Sequence, residues 1–275
     1  MRHRATTVAA MPIATLNGVD IAYDDIAPPG PAERTILLLH GFASNRNEGW
    51  KRTGWYQALG RRGMRVIAMD QRGHGQSVKS HDPADYGREK LTADAIALLD
   101  HLGVGRPEVF GYSMGTRTAM QMALDAPDRV NNLILGGVGG KLFDPPRPSE
   151  NGETIVTAMT VEDPQTLKTE FLKSFRQFAD EQGEDRQALA AFSQAFSPAL
   201  DRDTLGRLDM PVLVVAGSGD DLAGDPEELA RLFPHGKGVR LPGCDHFSAI
   251  PHASLKATVL DFLDGMLEDD FPPFE

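Results

Sequence analysis

The stretch Gly111-Tyr112-Ser113-Met114-Gly115 decides the fold of this chain, because it sets a serine between two glycines where a strand pattern changes into a helix pattern. The apolar run 107–110 before it predicts a short strand, and residues 116–126 after it predict a helix. A turn of this kind is strained, and a side chain at either glycine would collide with the neighbouring strand or helix. The stretch therefore predicts a nucleophile elbow, the sharp turn that raises a serine hydroxyl above the edge of a sheet.

A second interpretation is an ordinary glycine-rich turn whose serine caps the following helix, since serine is a favoured N-cap residue. The two interpretations differ in what else the chain must contain. A nucleophilic serine needs a base to take its proton and a carboxylate to hold that base in the right tautomer. After a serine on such an elbow, the acid comes first along the chain and the histidine second. The search for both residues therefore runs forward from Ser113.

Three histidines follow Ser113 and are candidates for the base, namely His235, His246 and His252. His246 follows the apolar run 239–242 and a glycine, so it is expected on a loop beyond the end of a strand. His235 has the surroundings of a turn that closes a helix, and His252 follows a proline at a helix start. We therefore predict that His246 is the base.

The orienting acid is expected on the loop after the preceding strand, and residues 210–217 are the most convincing buried strand of the C-terminal half. Two neighbouring carboxylates, Asp220 and Asp221, lie on the loop that follows. A Gly-x-x-Asp spacing favours Asp220, and Asp221 stays open as the alternative. The loop after strand 132–135 offers only glycines and Val138, so it supplies no acid.

Two further loops complete a resemblance to the α/β-hydrolase superfamily. His40-Gly41-Phe42 follows a strand and looks like the family's His-Gly turn before the first helix. Residues 70–77 read Asp-Gln-Arg-Gly-His-Gly-Gln-Ser and resemble the family's Asp-x-Arg-Gly-x-Gly-x-Ser loop. The elbow, the Gly-x-x-Asp and an Asp-His-Phe follow in the expected order. The resemblance therefore extends from about residue 13 to residue 266 of the 275.

The resemblance implies an oxyanion hole built from the backbone amides of Phe42 and Met114. One donor aimed at the developing negative charge is worth roughly 3 kcal/mol of activation barrier. His40, His74 and Arg72 are interpreted as structural residues of the two loops rather than as groups that transfer protons. No spacing of metal ligands such as H-x-x-x-H is present, so we predict neither a metal nor a cofactor.

Strands and helices alternate along the chain, which predicts an α/β fold with a mostly parallel sheet covered on both faces. Asn17-Gly18 between two alternating runs predicts a hairpin at the start of that sheet. The predicted hydrolase core comprises residues 11–140 and 210–268, and residues 1–10 and 269–275 are predicted to be tails.

Residues 141–209 interrupt the alternation and are predicted to form a helical cap or lid. The segment opens with a stiff, proline-rich stretch at 144–148 and then becomes helical and aromatic. One interpretation is that its phenylalanines only hold the segment together and fasten it to the core. The other is a cap above Ser113 whose inner face, with Met159, shapes an apolar substrate pocket. The spacing of five phenylalanines indicates apolar helix faces, namely Phe171, Phe175, Phe178, Phe192 and Phe196.

Composition narrows the classes of partner. The net charge of −11 argues against nucleic acid or an anionic membrane, where positive charge supplies the affinity, and favours small, neutral or weakly charged substrates. A single cysteine, Cys244, excludes an internal disulfide and fits a reducing compartment. No apolar run approaches the length of a membrane span. We therefore expect a cytoplasmic protein that acts on a small molecule, and its oligomeric state stays open.

These residues and the resemblance together predict a serine hydrolase. Ser113 is expected to attack a small apolar carboxylic ester, lactone or thioester and to form an acyl-enzyme, with Asp220 and His246 as orienting acid and base. Carbon–carbon bond hydrolysis and cofactor-free lyase or perhydrolase chemistry stay open, because the same site serves them. A non-catalytic receptor for small molecules on the same fold is the third alternative.

Overall fold

The computed structural model describes residues 12–144, 152–198 and 200–267. Eight strands in these ranges form one sheet with the order β1-β2-β4-β3-β5-β6-β7-β8. The edge strand β1 pairs antiparallel with β2, and β2 pairs antiparallel with β4. All pairings from β4 through β3 to β8 are parallel. The strands are β1 (Ile13–Leu16), β2 (Val19–Ile26), β3 (Arg34–Leu39), β4 (Met64–Met69), β5 (Glu108–Tyr112), β6 (Leu133–Gly136), β7 (Val212–Gly217) and β8 (Gly236–Leu241).

Helices cover both faces of this sheet. Side chains of a strand alternate between faces, so Leu37 and Leu39 join one apolar cluster, while Ile36 and Leu38 join the other. The first cluster includes residues of α2, α3 and α7, and the second includes residues of α1 and α8. The prediction of a doubly covered, mostly parallel sheet is therefore confirmed. These helices are α1 (Trp55–Gly60), α2 (Arg88–His101), α3 (Met114–Asp125), α7 (Pro226–Ala230) and α8 (Ala253–Leu263).

The hairpin that opens the sheet has the predicted turn. Asn17 and Gly18 both have positive φ, 53° and 81°, as a two-residue turn between antiparallel strands requires. Leu16 pairs with Val19 directly across the turn. The hairpin thus forms at the sequence signal that predicted it.

Three helices lie between β6 and β7, namely α4 (Ile155–Thr160), α5 (Glu170–Gln182) and α6 (Arg186–Gln194). Local signals delimit α5, since the Thr169 hydroxyl accepts a hydrogen bond from the amide of Leu172 and Gly183 ends the helix with φ 67°. The turn after α5 is tied to the core through Glu184, whose carboxylate accepts hydrogen bonds from the Asn45 side chain and the Gly75 amide, each at 2.9 Å.

The structure corrects one expectation for this segment, and some of the predicted regions lie outside the residues that it describes. Helix α6 ends at Gln194, so Phe196 lies beyond it and is 84% exposed rather than on an apolar helix face. Residues 145–148 of the proline-rich stretch and the tails 1–10 and 269–275 lie outside the described residues. None of the helices in the described ranges is both long and apolar enough to cross a membrane.

The loop after β4 is held by the residues that its pattern singled out. The Arg72 guanidinium donates two hydrogen bonds to the buried carboxylate of Asp94, at 2.7 and 2.8 Å, and a third to the Asp85 carbonyl. Arg46 forms a buried ion pair with Asp70 at the start of the same loop. These side chains fasten the loop to α2 and to the chain after β3.

We expect the substitution Gly115→Ala to destabilise the fold. A Cβ at residue 115 would lie 2.1 Å from the Leu39 carbonyl oxygen, and overpacking against backbone lowers the free energy of unfolding by roughly 1–3 kcal/mol. The control is Gly60→Ala, whose Cβ would meet nothing within 4 Å. Urea denaturation of both variants checks this, and equal midpoints would contradict the close approach at residue 115.

Candidate active site

The elbow carries its serine in a strained conformation. Ser113 is the single residue between β5 and α3. Its φ of 51° and ψ of −114° lie in a backbone region that residues other than glycine rarely adopt. A Cβ at Gly111 would lie 2.4 Å from the Gly115 carbonyl oxygen, and one at Gly115 would lie 2.1 Å from the Leu39 carbonyl oxygen, which explains both glycines of the motif. The Ser113 hydroxyl makes no capping bond to α3, so the alternative of an N-cap serine is wrong.

The structure brings Ser113, His246 and Asp220 together in one chain of hydrogen bonds. His246 Nε2 lies 2.9 Å from Ser113 Oγ, and His246 Nδ1 lies 2.8 Å from Asp220 Oδ2. A carboxylate can only accept, so Nδ1 carries the proton and Nε2 is free to accept the serine proton. The other oxygen of Asp220 accepts hydrogen bonds from the amides of Leu222 and Ala223, both at 3.0 Å, which fix the carboxylate.

The alternative residues lie elsewhere. Asp221 is exposed, and the carboxylate that contacts the His246 imidazole belongs to Asp220. His235 pairs with Asp209 at the surface, 3.3 Å apart. His252 caps α8, with its Nδ1 accepting a hydrogen bond from the Ser254 amide at 3.2 Å. Asp220 and His246 are therefore the acid and the imidazole that the fold places beside Ser113.

Tyr112 holds the loop that carries His246, a role that sequence analysis missed. Its hydroxyl donates a hydrogen bond of 2.6 Å to the His246 carbonyl oxygen, and burial raises the pKa of this phenol. Gly137, with φ 67°, leaves room for both rings, because a Cβ there would lie 2.9 Å from Tyr112 and 3.2 Å from His246. Tyr112 occupies a variable position of the elbow motif, so the sequence carried no specific signal for this contact.

The two amides expected to form the oxyanion hole border the same space as Ser113. Met114 is the first residue of α3, where a helix leaves the backbone N–H without an intrahelical acceptor. Phe42 follows Gly41, whose added Cβ would come within 3.4 Å of the Ser113 Cβ. Phe42 and Met114 both line the cavity that contains Ser113 and His246.

This cavity has a volume of about 940 Å³. Helices α5 and α6 close over it through ring contacts, since Phe42 packs against Phe175 and Phe192 at centroid distances of 6.2 and 5.9 Å. Phe247, next to His246, contacts Phe175 at 5.8 Å. The apolar lining of the cavity includes Phe42, Met114, Val138, Leu142, Ile155, Val156, Phe171, Leu172, Phe175, Phe192 and Leu222.

Met159 does not line this cavity, contrary to the expectation for it. Its side chain is 1% exposed and belongs to the cluster that joins α4, α5 and α6 to Ala43. Met159 therefore packs α4 against its neighbouring helices and does not contact the substrate space. Phe171 and Phe175 lie on the cavity side of α5 instead.

The two remaining buried histidines support the loops. His40 Nε2 accepts a hydrogen bond from the Gln71 amide at 3.0 Å, and its Nδ1 lies 2.8 Å from the Gly41 carbonyl oxygen. Burial lowers the pKa of His40 and of His74, so both rings are neutral near pH 7. Among residues 12–144, 152–198 and 200–267, no group of three or more His, Cys, Asp or Glu side chains is arranged to hold a metal ion.

Cys244 belongs to the core rather than to the reacting groups. Its thiol is buried, lies 3.6 Å from the Pro242 carbonyl oxygen, and has its pKa raised by burial. A thiol with a raised pKa carries little thiolate at neutral pH and is a poor nucleophile.

Known proteins resemble this chain in sequence. A family model for the alpha/beta hydrolase fold matches residues 34–159. The 3-oxoadipate enol-lactonase 2 of Acinetobacter baylyi is 28% identical over 75% of this chain and 79% of its own length. A 2-hydroxy-6-oxononadienedioate/2-hydroxy-6-oxononatrienedioate hydrolase of Pseudomonas putida is 28% identical over 89% of this chain and 92% of its own.

Coverage is lower for a third relative, the dihydrolipoyllysine-residue acetyltransferase component of the acetoin cleaving system of Pseudomonas putida. It is 30% identical over 79% of this chain, which spans 60% of that protein's length. Among solved structures, a thermophilic esterase from Thermogutta terrifontis is 25% identical with a TM-score of 0.71, covering 94% of this chain and 100% of that one. Together with the sheet order and the elbow, these similarities show that the chain belongs to the α/β-hydrolase superfamily.

Proposed function

We propose that this protein is a serine hydrolase that cleaves a small carboxylic ester, lactone or thioester through an acyl-enzyme. The observation that carries the proposal is the hydrogen-bonded series Ser113, His246 and Asp220, with distances of 2.9 and 2.8 Å. A serine is a weak nucleophile until a positioned base takes its proton, and this series supplies the base and its orienting carboxylate.

In the proposed first half-reaction, Ser113 Oγ attacks the substrate carbonyl carbon while His246 Nε2 takes the hydroxyl proton. The carbonyl oxygen becomes an oxyanion, and in this proposal the backbone amides of Phe42 and Met114, which line the cavity, stabilise it. The tetrahedral intermediate then breaks the bond to the leaving oxygen or sulfur, which receives the proton from His246. The acyl group stays on Ser113 as an ester.

In the second half-reaction, water takes the place of the serine hydroxyl as the nucleophile. His246 takes a proton from a water molecule, the hydroxide adds to the acyl carbon, and the bond to Ser113 Oγ breaks as the serine regains its proton. The products are a carboxylic acid and the alcohol or thiol. A lactone follows the same course, except that the released hydroxyl remains part of the acid.

The apolar cavity supports an acyl or hydrocarbon group as the part of the substrate next to the scissile bond. Its walls are largely aromatic and aliphatic, so burying such a group is favourable, whereas sugars or peptides would leave polar groups without partners. We further propose that residues 141–209 act as the cap of this cavity, on a core of residues 11–140 and 210–268. The enol-lactonase relative supports a lactone or ester as the substrate class.

Carbon–carbon bond hydrolysis is the second candidate. The similarity to the 2-hydroxy-6-oxononadienedioate/2-hydroxy-6-oxononatrienedioate hydrolase covers 89% of this chain, which gives the alternative specific support. The same serine, histidine and aspartate serve both reactions, so the difference lies in the leaving group. If Ser113 reacts with a serine-specific probe while no ester, lactone or thioester is cleaved, the carbon–carbon candidate is favoured.

We expect Ser113→Ala to abolish both reaction with a fluorophosphonate probe and hydrolysis of 4-nitrophenyl butyrate. Removing the nucleophile of such a site lowers kcat by a factor on the order of 10⁶. The control is Ser80→Ala, because the Ser80 hydroxyl donates to Asp85 Oδ2 and Ser80 does not line the cavity. Labelling that persists in Ser113→Ala, measured by intact mass, would refute the assignment of the nucleophile.

We expect Asp220→Asn to slow both reactions, whereas Asp221→Asn does not. An amide at residue 220 presents a donor or a weaker acceptor to His246 Nδ1, so the imidazole loses its orientation and its tautomer, with a loss in kcat on the order of 10³–10⁴. The rate of probe labelling and the kcat for the butyrate ester are measured in parallel. A comparable loss in both variants would indicate a general effect of loop charge.

A further inference from the structure

Arg117 is a cation of the substrate cavity that has no partner among the residues that the structure describes. It lies on α3 and lines the cavity together with Ser113. Within the described ranges of the chain, no hydrogen bond or ion pair engages its guanidinium. By contrast, the neighbouring Arg88 donates to Gln121 Oε1 at 2.9 Å and to the Pro198 carbonyl at 2.6 Å. Arg117 therefore differs from its neighbour in having all its donors available.

Arg117 is an exposed residue, so its guanidinium is accessible from the open cavity. Desolvation lowers the pKa of its guanidinium, and the positive charge of Arg88 lowers it further. Arginine nevertheless stays protonated in proteins, so Arg117 remains a cation. The other charged groups on the cavity wall have partners, since Lys141 Nζ donates to the Asp221 carbonyl and Glu153 accepts from the Lys168 amide.

Arg117 lies close to the reacting serine along α3. Ser113 precedes the first residue of α3, and Arg117 is four residues further on, so the two lie on the same side of the helix about one turn apart. Side chains of a helix tilt toward its N-terminus, so a long side chain at this position is directed back toward the end of α3 that carries Ser113. A substrate group that meets it therefore lies a few bonds from the carbonyl held at Ser113.

We propose that Arg117 binds a carboxylate of the substrate, so that the substrate is an ester or lactone with an acidic group a few bonds from the scissile carbonyl. This inference rests on the proposed function, because it takes the carbonyl to be held at Ser113. The planar guanidinium offers parallel donors that match the two oxygens of a carboxylate. The apolar walls would receive the hydrocarbon between the two ends.

The experiment compares 4-nitrophenyl esters that differ only at the far end of the acyl chain. The mono-4-nitrophenyl ester of glutarate carries a carboxylate where 4-nitrophenyl valerate carries a methyl group. We expect wild-type protein to prefer the glutarate ester by about tenfold or more in kcat/KM, the effect of a charge-assisted pair. Arg117→Met should remove this preference, chiefly through KM, and Arg117→Lys should restore part of it.

The charge-matched control is Arg88→Met, which removes an equal charge nearby but whose side chain is engaged with Gln121 and Pro198. It should keep the preference for the glutarate ester. Equal loss in Arg88→Met and Arg117→Met would show a diffuse electrostatic effect and overturn the binding role. Absence of any preference in the wild-type protein would overturn it as well.

A binding measurement separates this inference from the proposed function. Titration calorimetry with monomethyl glutarate uses the Ser113→Ala protein, alone and combined with Arg117→Met. We expect saturable binding that weakens about tenfold or more in the double variant. If no ester is cleaved by wild-type protein, the proposed function fails while this result still decides the role of Arg117. Equal affinity in the two proteins, or no binding to either, overturns the role.

Discussion

The close backbone approach at the elbow is the constraint on which the rest of the site depends. Gly115 lies so near the Leu39 carbonyl, and Gly111 so near the Gly115 carbonyl, that neither position tolerates a side chain. This contact lets α3 start directly after β5 and holds Ser113 at a positive φ. The strain at one residue is sustained because the buried strands on either side determine the path of the chain.

Parallel pairing then brings the other groups to the same edge of the sheet. β5, β7 and β8 point in one direction, so the loops after their carboxyl ends meet beside Ser113. Two contacts between these loops set the distances. Gly217 packs against the Cys244 carbonyl, and the Tyr112 hydroxyl holds the His246 carbonyl. One close backbone approach and one side-chain hydrogen bond therefore place the acid and the base.

The cavity combines a mostly apolar wall with the exposed guanidinium of Arg117, which makes no hydrogen bond or ion pair with the described residues. The net charge of −11 led to an expectation of neutral or weakly charged substrates, and it describes the field of the whole protein rather than that of one recess. The positive charge of Arg88 acts on Arg117, so two positive charges influence this recess although the protein as a whole is acidic. The proposed carboxylate subsite follows from that local arrangement.

The amino-acid pattern alone predicted the alternation of strands and helices, the elbow, and the order of Ser113, Asp220 and His246 along the chain. These features are encoded in short periodic patterns and in residues, such as glycine, that a particular local geometry requires. They can therefore be predicted without knowing which distant segments are in contact. Two findings needed the assembled structure: Phe196 falls beyond its helix, and Arg117 lines the cavity with no partner among the described residues. Such outcomes depend on where segments far apart in the chain come to lie, and those distances exist only once the sheet and its covering helices have assembled.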